Sequence, residues 1–285
     1  MIHTSRQLKD LIRNLSNTTG IEAHVLIRRY MMERLLERIS LSPYKESFIL
    51  KGGMLVSALV GIDTRSTMDM DTTVKGLPVN AAVMEQVITE IISINLDDNI
   101  AFHIKSCSVI MEDMDYSGLR ISLEAMLDNS VTPLKLDIST GDAITPREMQ
   151  YQYRLMFEDR SISLMAYPLE TVLAEKLETI LSRSTLNSRM RDFYDIRILQ
   201  DSFSDEINSL TLAKAFAATA ANRGSDAQAQ DVEDILHALE SSIELRQQWK
   251  IYTRRSKYAE PYSWEDIVQS VRELATSAGL FVNNQ

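Results

Sequence analysis

Two aspartates one residue apart, in the run Thr67-Met68-Asp69-Met70-Asp71-Thr72, are the residues of this chain best suited by type and spacing to chemistry. Polar and apolar side chains alternate through the run, the period of a half-buried strand, so both carboxylates project to the same side. Like charges held that close repel each other, and the pair is relieved by keeping a proton or by sharing a cation, for which a divalent metal is the usual partner. A solvated strand face produces the same alternation, so the surroundings of the pair decide. Upstream, Phe48-Ile49-Leu50 reads as a short buried segment running into Lys51-Gly52-Gly53, with a helix from Met54 to Val60 that Gly61 stops. Glycine lets backbone approach a ligand closely and a helix N-terminus favours anions, which suggests phosphate at one end of the segment and metal at the other.

Elements elsewhere must bring partners to this pair. Residues 5 to 17 and 22 to 40 have the pattern of two amphipathic helices, the second carrying Val25, Leu26, Tyr30, Leu35, Leu36 and Ile39 to cover a face of the segments after it. Strands are expected at 67–75, near 100–111, at 118–127 and at 133–139, with a helix near 80–96. The strands at 118–127 and 133–139 form an antiparallel pair joined through Asp128-Asn129-Ser130. In Pro133-Leu134-Lys135-Leu136-Asp137-Ile138-Ser139 the apolar side chains take one face and Asp137 the other, with Lys135. Asp137 is therefore a third carboxylate for Asp69 and Asp71 if its strand lies beside theirs.

A second constellation lies further along. PLETVLAEKLETILSR, residues 168 to 183, is strongly helical, and Lys176 falls inside its apolar stripe of Leu169, Val172, Leu173, Leu177 and Ile180. The next helix repeats the anomaly with opposite sign, since Asp192, Asp195, Ile196 and Leu199 share one face. A structural ion pair accounts for this, as does snorkelling by the lysine. The intervening loop favours a phosphate grip, because it gathers Arg183, Arg189 and Arg191 in a chain with 40 acidic and 30 basic residues.

That balance, a net charge of −10, opposes indiscriminate nucleic-acid binding and leaves room only for a local basic patch. The chain of 285 residues suits two modest domains, and 45% hydrophobic residues argue against disorder. Cys107 is the single cysteine, so no intramolecular disulfide is possible. The segment MIHTSRQLKDLIRNL has no signal-peptide apolar core, and no apolar stretch approaches the roughly 20 residues that span a bilayer. The expectation is a cytoplasmic protein without membrane association. His3, His24, His103 and His237 show no metal-ligand spacing. Trp249-Lys250-Ile251-Tyr252-Thr253-Arg254-Arg255-Ser256-Lys257-Tyr258 interleaves aromatic and basic residues, a texture equally suited to stacking on single-stranded RNA and to covering a helix end.

Taken together, LKGG, the run from Arg65 to Asp71, LAEKLETILSR and SRMRDFYDIRIL resemble the AbiEii/AbiGii family of nucleotidyltransferase-like toxins from abortive-infection, or type IV, toxin–antitoxin systems. The resemblance runs from about residue 20 to 200. Of the block Lys-x-x-Ala-x-x-x-Arg, Lys176 and Arg183 match while Thr179 replaces the alanine. The block Arg-Asp-x-x-Asp-x-x-x-Leu is met in full by Arg191, Asp192, Asp195 and Leu199. The resemblance implies an α+β protein: a nucleotidyltransferase-like catalytic domain over 1–150, with a mixed sheet flanked by helices, then a mainly helical domain over 151–285 that contributes Lys176, Asp192 and Asp195 to the cleft. It implies Mg²⁺ or Mn²⁺ held by Asp69 and Asp71, with Asp137 as a third ligand or as activator of the acceptor hydroxyl. Phosphates fall to Lys51, Gly52, Gly53, Arg65, Thr67, Arg183 and Arg191, and triphosphate or leaving-group charge to Lys176, oriented by Asp192 and Asp195. The expected reaction transfers a nucleotide from an NTP to RNA, with tRNA preferred, and releases pyrophosphate; a cognate antitoxin is the expected protein partner. Transfer to a protein or small-molecule hydroxyl, and a nucleotide-binding regulator without turnover, stay open as alternatives.

Overall fold

The computed structural model describes residues 2–110, 118–225 and 231–281. The chain divides into two compact units, one formed by 1–141 and 149–166, the other by 142–148 and 167–285. Residues 149–166 belong with the first unit, although all but the first two lie beyond the boundary expected at 150. They form two strands, β6 (Met149–Arg154) and β7 (Ser161–Ala166), that pair with each other, and β7 runs parallel to β1 (Phe48–Lys51). The sequence pattern announces neither strand, because Tyr151, Tyr153, Ile162 and Leu164 alternate over only six residues in each arm.

The first unit is a seven-stranded mixed sheet of order β3-β4-β5-β2-β1-β7-β6, completed by β2 (Met70–Val74), β3 (Ile100–Ile110), β4 (Gly118–Leu127) and β5 (Ser130–Ser139). Strand β2 is central, antiparallel to β1 on one side and parallel to β5 on the other. The expected antiparallel β4–β5 pair is present, but β5 begins at Ser130 rather than 133, so the pair closes through Leu127 and Ser130 in a tighter turn. Helices α1 (Ser5–Thr19), α2 (Ala23–Leu41), α3 (Gly52–Val60) and α4 (Ala81–Ile92) complete the unit. Thr4 caps α1 through its side chain and Gly20 ends it in the left-handed conformation, which glycine adopts without steric cost. The last residue of the strand expected near 100–111, residue 111, lies outside the described residues.

Helix α2 departs from the amphipathic expectation. From Arg29 to Ile39 every side chain is buried, including Arg29, Glu33, Arg34, Glu37 and Arg38. Each charge meets an opposite one, the condition under which buried ions persist. Arg38 forks onto Asp98 with nitrogen–oxygen distances of 2.9 and 2.8 Å. Arg160 does the same to Glu37 at 2.6 and 3.0 Å. Glu33 accepts from the Tyr153 hydroxyl at 3.1 Å and the Met156 amide at 2.9 Å. The helix packs on β5 and β7, so this polar ladder fastens the N-terminal helix pair to the sheet.

In the second unit the elements among the described residues are helical: α5 (Leu169–Arg183), a short 3₁₀ turn at Ser184–Leu186, α6 (Met190–Phe203), α7 (Ser209–Arg223), α8 (Val232–Ser241), α9 (Ile243–Arg255), a second 3₁₀ turn at Lys257–Ala259 and α10 (Trp264–Ser277). Ser263 caps α10 in a reciprocal box with Asp266. An aromatic cluster fills its core. Trp249 is buried, donates its indole N–H to the Tyr262 carbonyl at 3.0 Å, and packs its ring 5.4 Å from Tyr252 and 6.2 Å from Trp264. Of the basic and aromatic segment, the aromatic half therefore serves packing, while Arg254 and Arg255 remain exposed. No helix among the described residues is long and apolar enough to cross a membrane.

Candidate active site

The acidic pair sits where β2 begins, at the centre of the sheet. Asp69 lies in the segment leading into the strand and Asp71 within it, both partly exposed. Register places Asp71 opposite Lys51 of β1 on one side and Asp137 of β5 on the other, and Asp137 opposite Arg120 of β4. Directly paired residues project from the same face of a sheet. Lys51, Asp71, Asp137 and Arg120 thus form one row of charge across four strands. Positions one step along, such as Leu50, Met70, Leu136, Ile121 and Leu119, carry the buried apolar face. The strand begins later than expected, at Met70 rather than 67, because Arg65 and Thr67 are held in the preceding loop.

The two glycines after β1 make room for this row. Gly52 has φ +64°, a conformation costly to any residue with a Cβ, and a Cβ built there would overlap the Asp71 carboxylate and lie 2.9 Å from its Cβ and Cγ. At Gly53 a Cβ would lie 2.8 Å from Thr67 Oγ1 and 3.0 Å from an Arg65 guanidinium nitrogen. Arg65 and Thr67 are themselves buried, packed against the glycine turn. The Thr67 hydroxyl donates to the Asp69 carbonyl at 3.4 Å, so the phosphate-loop candidates and the carboxylate strand brace each other. A further link comes from α2, where Arg29 donates to the Ser57 hydroxyl, which in turn donates to the Arg65 carbonyl.

Arg120 does not emerge from motif spacing. Its Nε donates to one Asp137 oxygen and an Nη to the other, both at 2.7 Å, a bidentate fork. The hydrogen-bonded Asp137 carboxylate raises the guanidinium above its usual value against the opposing effect of burial, and the charges of Asp137, Asp69 and Asp71 add to the rise. Arg120 therefore lies within the field of all three acids.

Among the described residues no three His, Cys, Asp or Glu side chains converge as a ready-made metal cage. The donor set still suits a hard cation. Asp69 and Asp71 offer carboxylate oxygens on a half-open face, and Mg²⁺ characteristically takes one or two protein carboxylates and completes its shell with water and substrate phosphate.

In the second unit the sequence constellation closes on itself. Lys176 is buried, and its Nζ donates to Asp192 at 2.9 Å and Asp195 at 2.7 Å. Thr179, the departure from the family block, donates to the Glu175 carbonyl at 2.8 Å and accepts from Arg223 at 3.0 Å, so its hydroxyl serves a side-chain contact that alanine would lack. Arg183, Arg189 and Arg191 flank the 3₁₀ turn, and all three are exposed. Buried Asn187 holds that turn, accepting from the Arg189 amide at 2.8 Å.

The architecture of a mixed sheet followed by helices is that of nucleotidyltransferase-like proteins. A Helicobacter pylori protein designated a nucleotidyltransferase superposes with a TM-score of 0.52 at 16% identity, over 91% of this chain and 95% of that one. JHP933 from Helicobacter pylori does so with a TM-score of 0.52 at 15% identity, over 91% and 92%. Comparison with curated proteins gives no match. The family model described as "Nucleotidyl transferase AbiEii toxin, Type IV TA system" matches residues 34–270, and the chain belongs to that family. Membership makes it a nucleotidyltransferase-family toxin, with a nucleotide as the implied substrate and an antitoxin as the implied partner.

Proposed function

We propose that the protein transfers a nucleotide from an NTP to an RNA acceptor, tRNA foremost, with release of pyrophosphate and dependence on Mg²⁺ or Mn²⁺, and that it does so in the cytoplasm. The observation that carries the reading is the closure of Gly52 on Asp71 within the charged row of the central strands. A glycine turn fitted against a strand carboxylate brings backbone amides and a cation-binding oxygen to one place, as a metal-bound triphosphate requires.

Asp69 and Asp71 would hold the cation, with Asp137 as the third candidate. The bound metal would neutralise charge building on the attacking and leaving oxygens. Lys51, Gly52 and Gly53 are assigned to the phosphates. Arg65 and Thr67, being buried, contribute by fixing the turn that presents them. In the second unit Lys176, with Asp192 and Asp195 fixing its ammonium, and the solvent-accessible guanidinium groups of Arg183 and Arg191 are phosphate-binding candidates in their own right.

The test is incubation of the protein with each labelled NTP, Mg²⁺ and purified tRNA. Label on the RNA is expected for wild type and none for Asp69→Asn or Asp71→Asn, with both variants folded by circular dichroism. Wild-type labelling by either folded variant, or no label on RNA with any NTP, would refute the reading.

A further inference from the structure

We infer that Arg120 is a positioning residue that stands in for the metal ion at Asp137: it holds this carboxylate before metal and nucleotide arrive and releases it to them. The inference rests on the proposed role of Asp69 and Asp71 as cation ligands.

Geometry supports it in three ways. The fork engages both Asp137 oxygens at 2.7 Å, so while it stands Arg120 occupies the position from which Asp137 would reach a cation. Register sets Asp137 directly beside Asp71, the neighbour with which it would share that cation. Register also sets Arg120 in the same row as Asp137, Asp71 and Lys51, so its guanidinium joins Lys51 as positive charge beside the acids. Asp71 and Asp137, side by side on one sheet face, would repel each other without a counter-charge. A guanidinium relieves that repulsion, and its side chain is 40% exposed, so it has solvent to move into when a divalent cation supplies the charge instead. A purely structural salt bridge needs none of this. A partly exposed pair contributes little stability, and Arg120 would then be indifferent to metal.

The two readings separate in direct metal binding, without turnover. Free Mn²⁺ is measured by electron paramagnetic resonance during titration of wild type, Arg120→Gln, Asp137→Asn, the double variant Arg120→Gln/Asp137→Asn, and Asp71→Asn. Removing a unit positive charge beside the site should tighten Mn²⁺ binding roughly tenfold in Arg120→Gln. The gain should vanish in the double variant, because it is realised through the freed Asp137. Arg120→Lys, which keeps the charge and loses the fork, should fall between wild type and Arg120→Gln, and it serves if the glutamine variant folds poorly. Unchanged or weaker Mn²⁺ binding in folded Arg120→Gln, while wild-type binding still depends on Asp71, would overturn the role of Arg120 and leave the cation reading standing. Mn²⁺ binding that is absent in wild type, or indifferent to Asp71→Asn, would overturn both.

Discussion

Replacing Lys176 by methionine separates structure from chemistry in the second unit. The stripe around it is apolar, and methionine approaches the lysine stem in length, so packing alone forecasts a mild change. The ion pairs forecast otherwise. Lys176 Nζ lies 2.9 Å from Asp192, whose side chain is 17% exposed, and 2.7 Å from Asp195, which has no exposure at all. Once the ammonium is gone, Asp192 can turn to water, whereas Asp195 keeps its charge in the interior without that cation. Breaking a buried pair by removing one partner costs about 3–5 kcal/mol. At about 2–4 °C per kcal/mol for a domain of this size, the melting temperature should fall by roughly 6–20 °C.

The assay is thermal melting by circular dichroism of wild type, Lys176→Met and Lys176→Met/Asp195→Asn, with RNA labelling measured below each melting transition. The double variant removes the Asp195 charge and should recover at least half the loss. Labelling should stay absent in it if Lys176 acts on phosphate. A single variant melting within a few degrees of wild type would refute the ion-pair reasoning. A stable double variant that labels RNA at the wild-type rate would refute any role of Lys176 in transfer.

The geometry sets two other outcomes. Gly52→Ala forces a Cβ into a backbone with φ +64° and against the Asp71 carboxylate; it should cost at least about 1–2 kcal/mol in urea unfolding and weaken Mn²⁺ binding, while Gly20→Ala, whose surroundings are open, should leave metal binding untouched. Trp249→Ala opens a cavity in the aromatic cluster and should cost about 3–5 kcal/mol, with RNA affinity of the remaining folded protein unchanged; an RNA-binding defect without destabilisation would show that the ring reaches a ligand after all.

How much of this was legible in the sequence depends on whether a feature is written in one segment or in the meeting of two. The β4–β5 hairpin, the Ser263 cap and the stripe carrying Lys176 are local, and the structure has them where the pattern puts them. The Lys176 contacts with Asp192 and Asp195 were also within reach, since adjacent helices of opposite anomaly have few other ways to settle their charges. Helix α2 was not. Its Arg29, Glu33, Arg34, Glu37 and Arg38 have the pattern of a solvated face, and besides the in-helix pairs Arg29–Glu33 and Arg34–Glu37 it takes Asp98, Tyr153, Glu158 and Arg160, 60 or more positions away along the chain, to make burial tolerable. The aromatic run near residue 250 shows the same limit, because composition does not distinguish rings that stack on bases from rings that stack on Tyr194 and Trp264.

Arg120 falls between these cases. Once the hairpin is accepted, its closing pair Leu127–Ser130 fixes every other pair, and seven residues further along each strand Arg120 faces Asp137. The basic partner of the third carboxylate is therefore implied by a turn and an alternation. Motif searching looks past it, because it seeks groups that would touch the metal or the phosphate and not the group that must yield to them. A site with Asp71 and Asp137 side by side on one sheet face has to be stable before its ligand arrives. The residue that makes it so is found through strand register, and its strongest test is a cation titration in which losing a positive charge improves binding.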